Sequence, residues 1–338
     1  LPFLDALFTS TSAVCVTGLI VVDTATAFSI YGQIGILVLI QIGGLGIMIL
    51  SFFTIFVLRK SMSIEDKMLI SYMLSERDMT RLSKSLRNIV FITLGIEAFG
   101  AVLLFLGFGP TTEGGFVPAL FPAIFHSVSA FCNAGFSTFS TSLESFRTNG
   151  YIVTVVALLI IAGGISFAVI INLGEWAVNR FRRSVLQIRE RLIRLAMHTK
   201  AVLTISALLL VSGTLVVYGL EHAHAMADYT LGEQYLSAFF QSVTLRTAGF
   251  NTIPFADLRP VTYIAMGVFM FIGGASGSTA GGIKVNTLAV MAAYIGATLR
   301  DRESVTLYKN SVPINTVLRA FIILLFAVSV VTAGTFLL

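Results

Sequence analysis

Four long stretches of this chain contain no charged residue, and this feature limits the possible folds more than any other. No Asp, Glu, Lys or Arg occurs between Asp23 and Arg59, between Arg147 and Glu175, between Lys200 and Glu221, or after Arg319. A helix needs roughly 20 apolar residues to cross a bilayer, so each stretch has room for at least one crossing. With 56% hydrophobic and 12% charged residues, the chain is also more apolar than a soluble domain. The sequence therefore predicts an all-α integral membrane protein.

One block of sequence occurs three times. It reads FTSTSAVCVTG at 8–18, FHSVSAFCNAG at 125–135 and FFQSVTLRTAG at 239–249. The final glycines, Gly18, Gly135 and Gly249, recur at intervals of 117 and 114 residues, which fits a repeated unit of two crossings around a re-entrant loop. Each block is followed by an apolar stretch with a glycine pair, namely Gly43/Gly44, Gly163/Gly164 and Gly273/Gly274. We expect the crossing helices to bend or break at these pairs.

The residues within each block favour a short helix that ends in a loop of backbone carbonyls. Pro2 and Pro122 suit the first turn of such a helix. A glycine after the helix adopts backbone angles closed to other residues, and the negative end of the helix dipole favours a cation. An alternative is that the glycines only permit close helix packing. We predict a cation selectivity filter made of Val16, Thr17, Gly18, Asn133, Ala134, Gly135, Thr247, Ala248 and Gly249.

Basic residues are concentrated in three connections. Of 22 Lys and Arg, 18 lie within 59–87, 180–200 and 300–319. The positive-inside rule places these connections in the cytoplasm. The three blocks lie on the opposite side, among acids that would attract an approaching cation, although ordinary solvation of loops is an equal alternative.

These motifs resemble those of a known family. VTGL at 16–19, NAGF at 133–136, TAGF at 247–250 and FIGGASGSTAGGIKVNT at 271–287 are similar to the Trk/Ktr/HKT superfamily of potassium transporters, and most similar to its Ktr branch. The resemblance implies pseudo-fourfold repeats of helix, pore loop and helix around one central pore, with K⁺ bound at the filter carbonyls. Glycine in all three filters favours potassium over sodium.

The repeats then divide the chain into four parts. We expect residues 1–60 to hold the pore loop and second helix of the first repeat, and 61–200 the second repeat with its cytosolic loops. Residues 201–300 form the third repeat, and 301–338 begin the fourth. The first helix, the fourth pore loop and the last helix are expected to lie beyond this chain.

The glycine-rich string after Gly273 is predicted to interrupt a helix, because each glycine costs about 1 kcal/mol relative to alanine. In the family this stretch is a loop beneath the filter that gates conduction. The predicted gate comprises Gly273, Gly274, Ala275, Ser276, Gly277, Ser278, Thr279, Ala280, Gly281, Gly282 and Lys284. A phosphate-binding loop is rejected because Ile283, not Lys, follows Gly282. Lys284 could also snorkel or form a structural ion pair.

Four other features carry weaker signals. Arg246, three residues before its filter glycine, is expected to brace the filter from behind, paired with an acid. Glu97 is either a structural hydrogen-bonding group or part of the transport path. Cys15 and Cys132 are expected to be buried small hydrophobes rather than a disulfide. His222 and His224 form a weak candidate metal pair, and no transition-metal site is expected.

We therefore expect a potassium-translocating subunit, passive or sodium-assisted, and not an enzyme. It should lie in a bacterial cell (inner) membrane, with the pore loops facing outward. Its expected partners are membrane lipid, a second copy of the chain and a cytosolic KtrA-like ring of nucleotide-binding subunits, with no nucleic acid and no cofactor except transported or coupling K⁺ and Na⁺. A broken-helix transporter for an organic solute is the alternative, and it predicts saturable uptake of that solute. A structural scaffold would not need glycine-ended blocks on one side only.

Overall fold

The computed structural model of the protein describes residues 1–46, 82–111, 115–185, 187, 192–302, 304–308 and 310–337. Most of the first basic connection, 59–87, lies outside these residues. Within them the regular secondary structure is helical, except for one antiparallel hairpin of β1 (Thr306–Leu307) and β2 (Asn310–Ser311) and an isolated bridge between Ile272 and Ile283. The helices, in chain order, are α1 (Phe3–Val14), α2 (Thr24–Ala27), α3 (Ile30–Leu45), α4 (Leu82–Phe108), α5 (Phe116–Phe131), α6 (Gly150–Gly164), α7 (Phe167–Ser184), α8 (Met197–Glu221), α9 (Leu231–Thr244), α10 (Pro260–Phe271), α11 (Val285–Thr298) and α12 (Ile314–Leu337).

Several of these helices have the length and composition to cross a membrane. Arg87–Phe108 within α4, α8 and α12 each do so alone, and α6 with α7 do so as one broken pair. By contrast, α1, α5 and α9 have only 12, 16 and 14 residues. At 1.5 Å per residue they fall short of a hydrocarbon core of about 30 Å. The prediction of an all-α membrane protein is confirmed.

Two of the predicted helix breaks are present. Helix α6 ends at Gly164, and α7 continues at an angle of 106° after two residues. Helix α10 ends at Phe271, before Gly273 and Gly274, and α11 begins only at Val285. Gly43 and Gly44 instead lie in the last turn of α3 without interrupting it, and residues 47–81 are outside the described part.

The starts of the short helices agree only partly with the sequence patterns. Pro2 is the N-cap of α1, and Thr230 with Glu233 forms a capping box on α9. The expectation for Pro122 is wrong, because α5 begins at Phe116 and Pro122 lies inside it. Gly115, with φ +82°, provides the entry turn.

Each short helix packs against neighbouring helices that hold it in place. Helix α5 packs on α4 and α6, α9 on α8 and α6, and α1 on α3. The principal core joins α4, α5, α6 and α9 and contains Phe108, Ile152, Val156 and Phe240, all fully buried. These contacts bring the C-terminal ends of α1, α5 and α9 toward one another.

Candidate functional site

The three predicted filter segments adopt the same backbone conformation. Each begins within three residues of the end of a short helix, and two positions in each have positive φ. These are Val16 and Gly18 (+53° and +76°), Asn133 and Gly135 (+57° and +72°), and Thr247 and Gly249 (+66° and +84°). The sequence repeat is therefore also a repeat of backbone geometry.

The three segments also meet. The carbonyl oxygen of Ala134 lies 2.5 Å from where a Cβ on Gly18 would be, and that of Ala248 lies 2.6 Å from the corresponding point on Gly135. A Cβ on Gly249 would lie 3.2 Å from the Gly135 Cα. The second segment is thus in van der Waals contact with the first and the third, and glycine is required at these positions both for space and for φ.

The second segment is held by hydrogen bonds that the sequence repeat did not reveal. The Ser129 carbonyl accepts a hydrogen bond from Ala134 N at 2.8 Å, and the Ser129 Oγ donates one to the Phe136 carbonyl at 2.7 Å. His126 Nδ1 donates to the Pro122 carbonyl at 2.8 Å, so its Nε2 accepts from Ser137 Oγ at 2.8 Å. The second segment and the residues that follow it are therefore fixed to α5. The available signal was a histidine in an apolar helix, which must be satisfied when buried.

Two glycines allow a helix to pack directly on the end of a short helix. A Cβ on Gly43 would clash with the Val14 carbonyl, and one on Gly163 would clash with the Phe131 carbonyl. Val14 and Phe131 each lie four residues before a filter glycine. Close packing is thus a function of the glycine pairs, in addition to the break at Gly163/Gly164.

The predicted gate, residues 273–284, is a loop closed at its base. Gly273 N donates to the Ile283 carbonyl at 3.0 Å, and Ile283 N donates to the Phe271 carbonyl at 3.0 Å. Lys284, the N-cap of α11, donates from Nζ to the Ala280 carbonyl at 2.6 Å. The two ends of the interruption are therefore fixed together, and the intervening residues project from them.

The tip of this loop contacts the ends of α5 and α6 and one of the three glycine-ended segments. Thr279 Oγ1 donates to the carbonyls of Phe131 (3.0 Å) and Gly163 (2.9 Å). Ala275 N donates to the Gly164 carbonyl at 3.0 Å, and Gly281 N donates to Thr247 Oγ1 at 2.9 Å. The loop thus lies against the end of α6, the end of α5 and a residue of the third filter segment.

Arg246 and Lys284 occupy different surroundings. The Arg246 side chain is 6% exposed, and its Nη2 donates to the Gly273 carbonyl at 3.5 Å. Among the described residues no carboxylate lies within ion-pairing distance of it, so the expected acidic partner is replaced by a backbone carbonyl. Lys284 lines a cavity of about 1200 Å³ between α10, α11 and α12, together with Arg319 of α12.

Polar contacts also join the repeats beyond the filters. Asn251 Nδ2 donates to Glu144 Oε1 at 2.5 Å, and Leu143 N donates to the Asn251 carbonyl at 3.1 Å. The pKa of Glu144 is raised above its ordinary value by burial and by the charge of Asp257, against the opposing effects of Asn251 and Arg147. These contacts fix the exit of the third segment to the loop after the second.

The remaining candidates are only partly as expected. Cys132 is buried as expected, but Cys15 is exposed, and both are free thiols. His224 Nδ1 lies 3.4 Å from Glu221 Oε2, and His222 Nδ1 donates to the Tyr218 carbonyl. Within the described ranges no group of three His, Cys, Asp or Glu side chains could hold a metal.

The fold and the site define a class: a polytopic helical membrane protein whose short apolar helices bring glycine-ended segments together. A family model described as TrkH, cation transport protein, matches residues 1–338. The chain belongs to this family of cation transport proteins.

Individual relatives agree with this assignment. The chain is 38% identical to Ktr system potassium uptake protein B of Vibrio alginolyticus over 99% of its own length and 71% of the relative. It is 36% identical to potassium/sodium uptake protein NtpJ of Enterococcus hirae, over 94% of its own length and 67% of the relative. The crystal structure of the potassium transporter TrkH from Vibrio parahaemolyticus superposes with a TM-score of 0.69 at 22% identity. The match covers 95% of this chain and 62% of the TrkH chain, so this chain spans less than two thirds of that protein, and the likeness shows the shared fold.

Proposed function

We propose that this chain is the potassium-translocating subunit of a K⁺ uptake system. K⁺ passes a filter with one glycine per repeat and four pseudo-symmetric repeats around one pore, three of whose pore loops lie in this chain. Loop 273–284 gates the pore. Transport is passive or Na⁺-assisted, and the membrane potential contributes about 2.3 kcal/mol per charge per 100 mV.

One observation carries the proposal: three filter segments with the same pair of positive φ values meet at the ends of three short helices. Backbone of this kind is tolerated at membrane depth only where it lines a cavity or is buried in protein. Helix C-termini directed at the meeting point favour a cation, and carbonyl oxygens can replace the hydration shell of K⁺. The relatives named as potassium uptake proteins support the choice of ion.

The test is substitution of Ser for Gly249. The new Cβ would approach Gly135 at 3.2 Å with φ at +84°, a strained conformation that costs about 1–2 kcal/mol. We expect the preference for K⁺ over Na⁺ to fall roughly tenfold. The measurement is competition between the two ions for uptake in cells that lack other potassium systems.

Gly219→Ser is the matched control, because Gly219 lies in α8 with open space around it. It should leave selectivity unchanged. If Ser at Gly18, Gly135 and Gly249 also leaves selectivity unchanged in a protein that still conducts, the filter assignment is wrong.

A further inference from the structure

A buried carboxylate lies directly behind the second filter segment. Glu97 is the only acid in α4 and is 5% exposed. Its Oε2 accepts from Gln41 Nε2 of α3 at 3.1 Å, and its Oε1 accepts from Cys132 Sγ at 3.8 Å. Both carboxylate oxygens are thus used, each by a different element.

The position of Cys132 connects this carboxylate to the filter. Cys132 caps α5 and directly precedes Asn133, the filter residue with φ +57°. Its sulfur is also confined from the other side, since a Cβ on Gly44 of α3 would lie 2.6 Å from it. The backbone of Glu97 is fixed to the same helix, because Ser127 Oγ donates to the Glu97 carbonyl at 2.7 Å. A shift of Glu97 would therefore be transmitted to the first residue of the second segment.

The third repeat has a contact at the same place. Cys132 and Arg246 both lie three residues before a filter glycine. Arg246 reaches back to the Gly273 carbonyl, whereas Cys132 reaches back to Glu97. In both repeats this side chain joins the filter to structure behind it, although the chemistry differs.

We infer that Glu97 is a positioning residue for ion selection: by accepting hydrogen bonds from Gln41 and Cys132, it holds the segment Asn133–Gly135 in the register that the neighbouring segments require. The inference rests on the proposed function. It assigns Glu97 to the support of the filter rather than to the ion path. The Glu97 side chain acts through two hydrogen-bond acceptors and not through its charge. A glutamine can therefore replace it, because the Gln41 amide can turn and accept from the new amide group.

The experiment compares Glu97→Leu, Glu97→Gln and Gln41→Leu in the full chain, by K⁺ uptake competed with Na⁺. Glu97→Leu removes both acceptors and should lower the K⁺ preference about tenfold. Glu97→Gln should restore it to within about twofold of the original protein, and Gln41→Leu should give an intermediate loss. Thr93→Val, one turn earlier in α4, is the control, because the buried Thr93 hydroxyl has no hydrogen-bond partner among the described residues.

Normal selectivity in Glu97→Leu would overturn the inference. So would Glu97→Gln being as defective as Glu97→Leu, which would mean that the charge matters rather than the position. If Glu97→Leu does not reach the membrane, Gln41→Leu decides, and normal selectivity there also overturns it. An original protein that transports no K⁺ would instead refute the proposed function.

Discussion

Single residues in the filter segments carry a conformational cost. Val16 and Thr247 are β-branched yet have φ of +53° and +66°. A left-handed conformation costs roughly 1–2 kcal/mol for an L-residue, and more for a branched one. Such residues persist where their surroundings over-determine them, and they cluster at functional sites. Asn133 has the same conformation at the same position of the second segment, so the repeat preserves the backbone conformation rather than the side chain.

Glu144 gives a prediction of pH dependence. Burial raises the pKa of Glu144, so the folded protein binds this proton more tightly than the unfolded chain does. The raised pKa of Glu144 therefore stabilises the folded state at pH values below the ordinary carboxyl pKa. This contribution is lost as the pH rises through the raised pKa. We expect Glu144→Gln, which still accepts from Asn251, to match the original protein near pH 4 and to gain in relative Tm toward pH 7. Thermal unfolding in detergent across this range measures it.

Glu233→Gln is the matched control, since Glu233 also accepts one backbone hydrogen bond in the capping box, at an exposed position. A Tm for Glu144→Gln that falls relative to the original protein as the pH rises would show that the Arg147 charge outweighs burial and Asp257.

At the scale of residues, the sequence identified the positions that repeat and missed the side-chain contacts that occur once. Gly18, Gly135 and Gly249 were found because they recur, and their positive φ values agree with the expected use of glycine. The side-chain contacts of His126 and Ser129 were missed, because among the described residues each of these hydrogen bonds occurs in the second block and not in the first or third. The acidic partner expected for Arg246 is not found among the described residues, and its Nη2 donates instead to the Gly273 carbonyl in the interruption after α10.

At the scale of elements, the loop that follows α10 supplies hydrogen-bond donors to the free carbonyls at the end of α6. The last carbonyls of a helix have no partner inside it. Those of Gly163 and Gly164 are capped by donors from the loop 273–284, namely Thr279 and Ala275. A movable loop at this place would exchange protein hydrogen bonds for bonds to water, which costs little.

Thr279→Val tests whether this loop is the gate. The substitution removes a hydroxyl that donates to Phe131 and Gly163 while keeping the branched shape. We expect K⁺ flux into proteoliposomes to rise about threefold to tenfold, since a net hydrogen bond is worth about 1 kcal/mol, with the ratio of K⁺ to Na⁺ nearly unchanged. Deletion of Ala275 to Gly281, or Lys284→Ala, should act in the same direction.

The matched control is Ser276→Ala, because no hydrogen bond joins the Ser276 hydroxyl to another described residue. Lower flux or changed selectivity in a Thr279→Val protein that inserts normally would make the loop part of the filter or a hinge, and the gating role should then be dropped.

Sequence patterns predicted element breaks better than element directions. Gly163/Gly164 and Gly273/Gly274 marked two real interruptions. The angle of 106° between α6 and α7 was not predictable, because it depends on the φ and ψ values of two connecting residues. Pro122 was placed in a first turn, although the helix starts at a glycine turn upstream of it.

For the whole molecule, charge distribution suggests the partner. Helix α7 ends in Arg180, Arg182 and Arg183, and the segment up to Lys200 adds further basic residues. We expect this face to bind a cytosolic ring of nucleotide-binding subunits beneath a homodimer. Co-purification with light scattering should give two copies of this chain per ring, and Arg180→Glu with Arg183→Glu should weaken binding at least tenfold, more so at low salt.

Arg259→Glu is the control, since Arg259 is exposed at the start of α10, on the side that we assign to the exterior. If a ring subunit encoded with this protein neither binds it nor alters its flux, the prediction is wrong and the basic connections only set the topology.

The membrane class of the whole molecule followed from uncharged runs such as Asp23 to Arg59, and the family followed from the strings around Gly249 and Gly273. The repeat and the resemblance predicted that the three segments share one site, but not which atoms touch, because those contacts join residues more than 100 positions apart. Pairing at such distances depends on how α4, α5 and α6 pack, and periodicity along the chain does not contain that information.

The hydrogen bond from Gly281 N to Thr247 Oγ1 makes the arrangement of the loop and that of the third segment thermodynamically dependent on each other. If the loop favours one arrangement of Thr247, then whatever occupies the third segment must favour one arrangement of the loop by the same factor, because coupling free energies are reciprocal. The concentration of the transported ion would then act as a regulator of its own passage. A single coupled equilibrium would then determine both the position of the loop and the occupancy of the third segment by the ion.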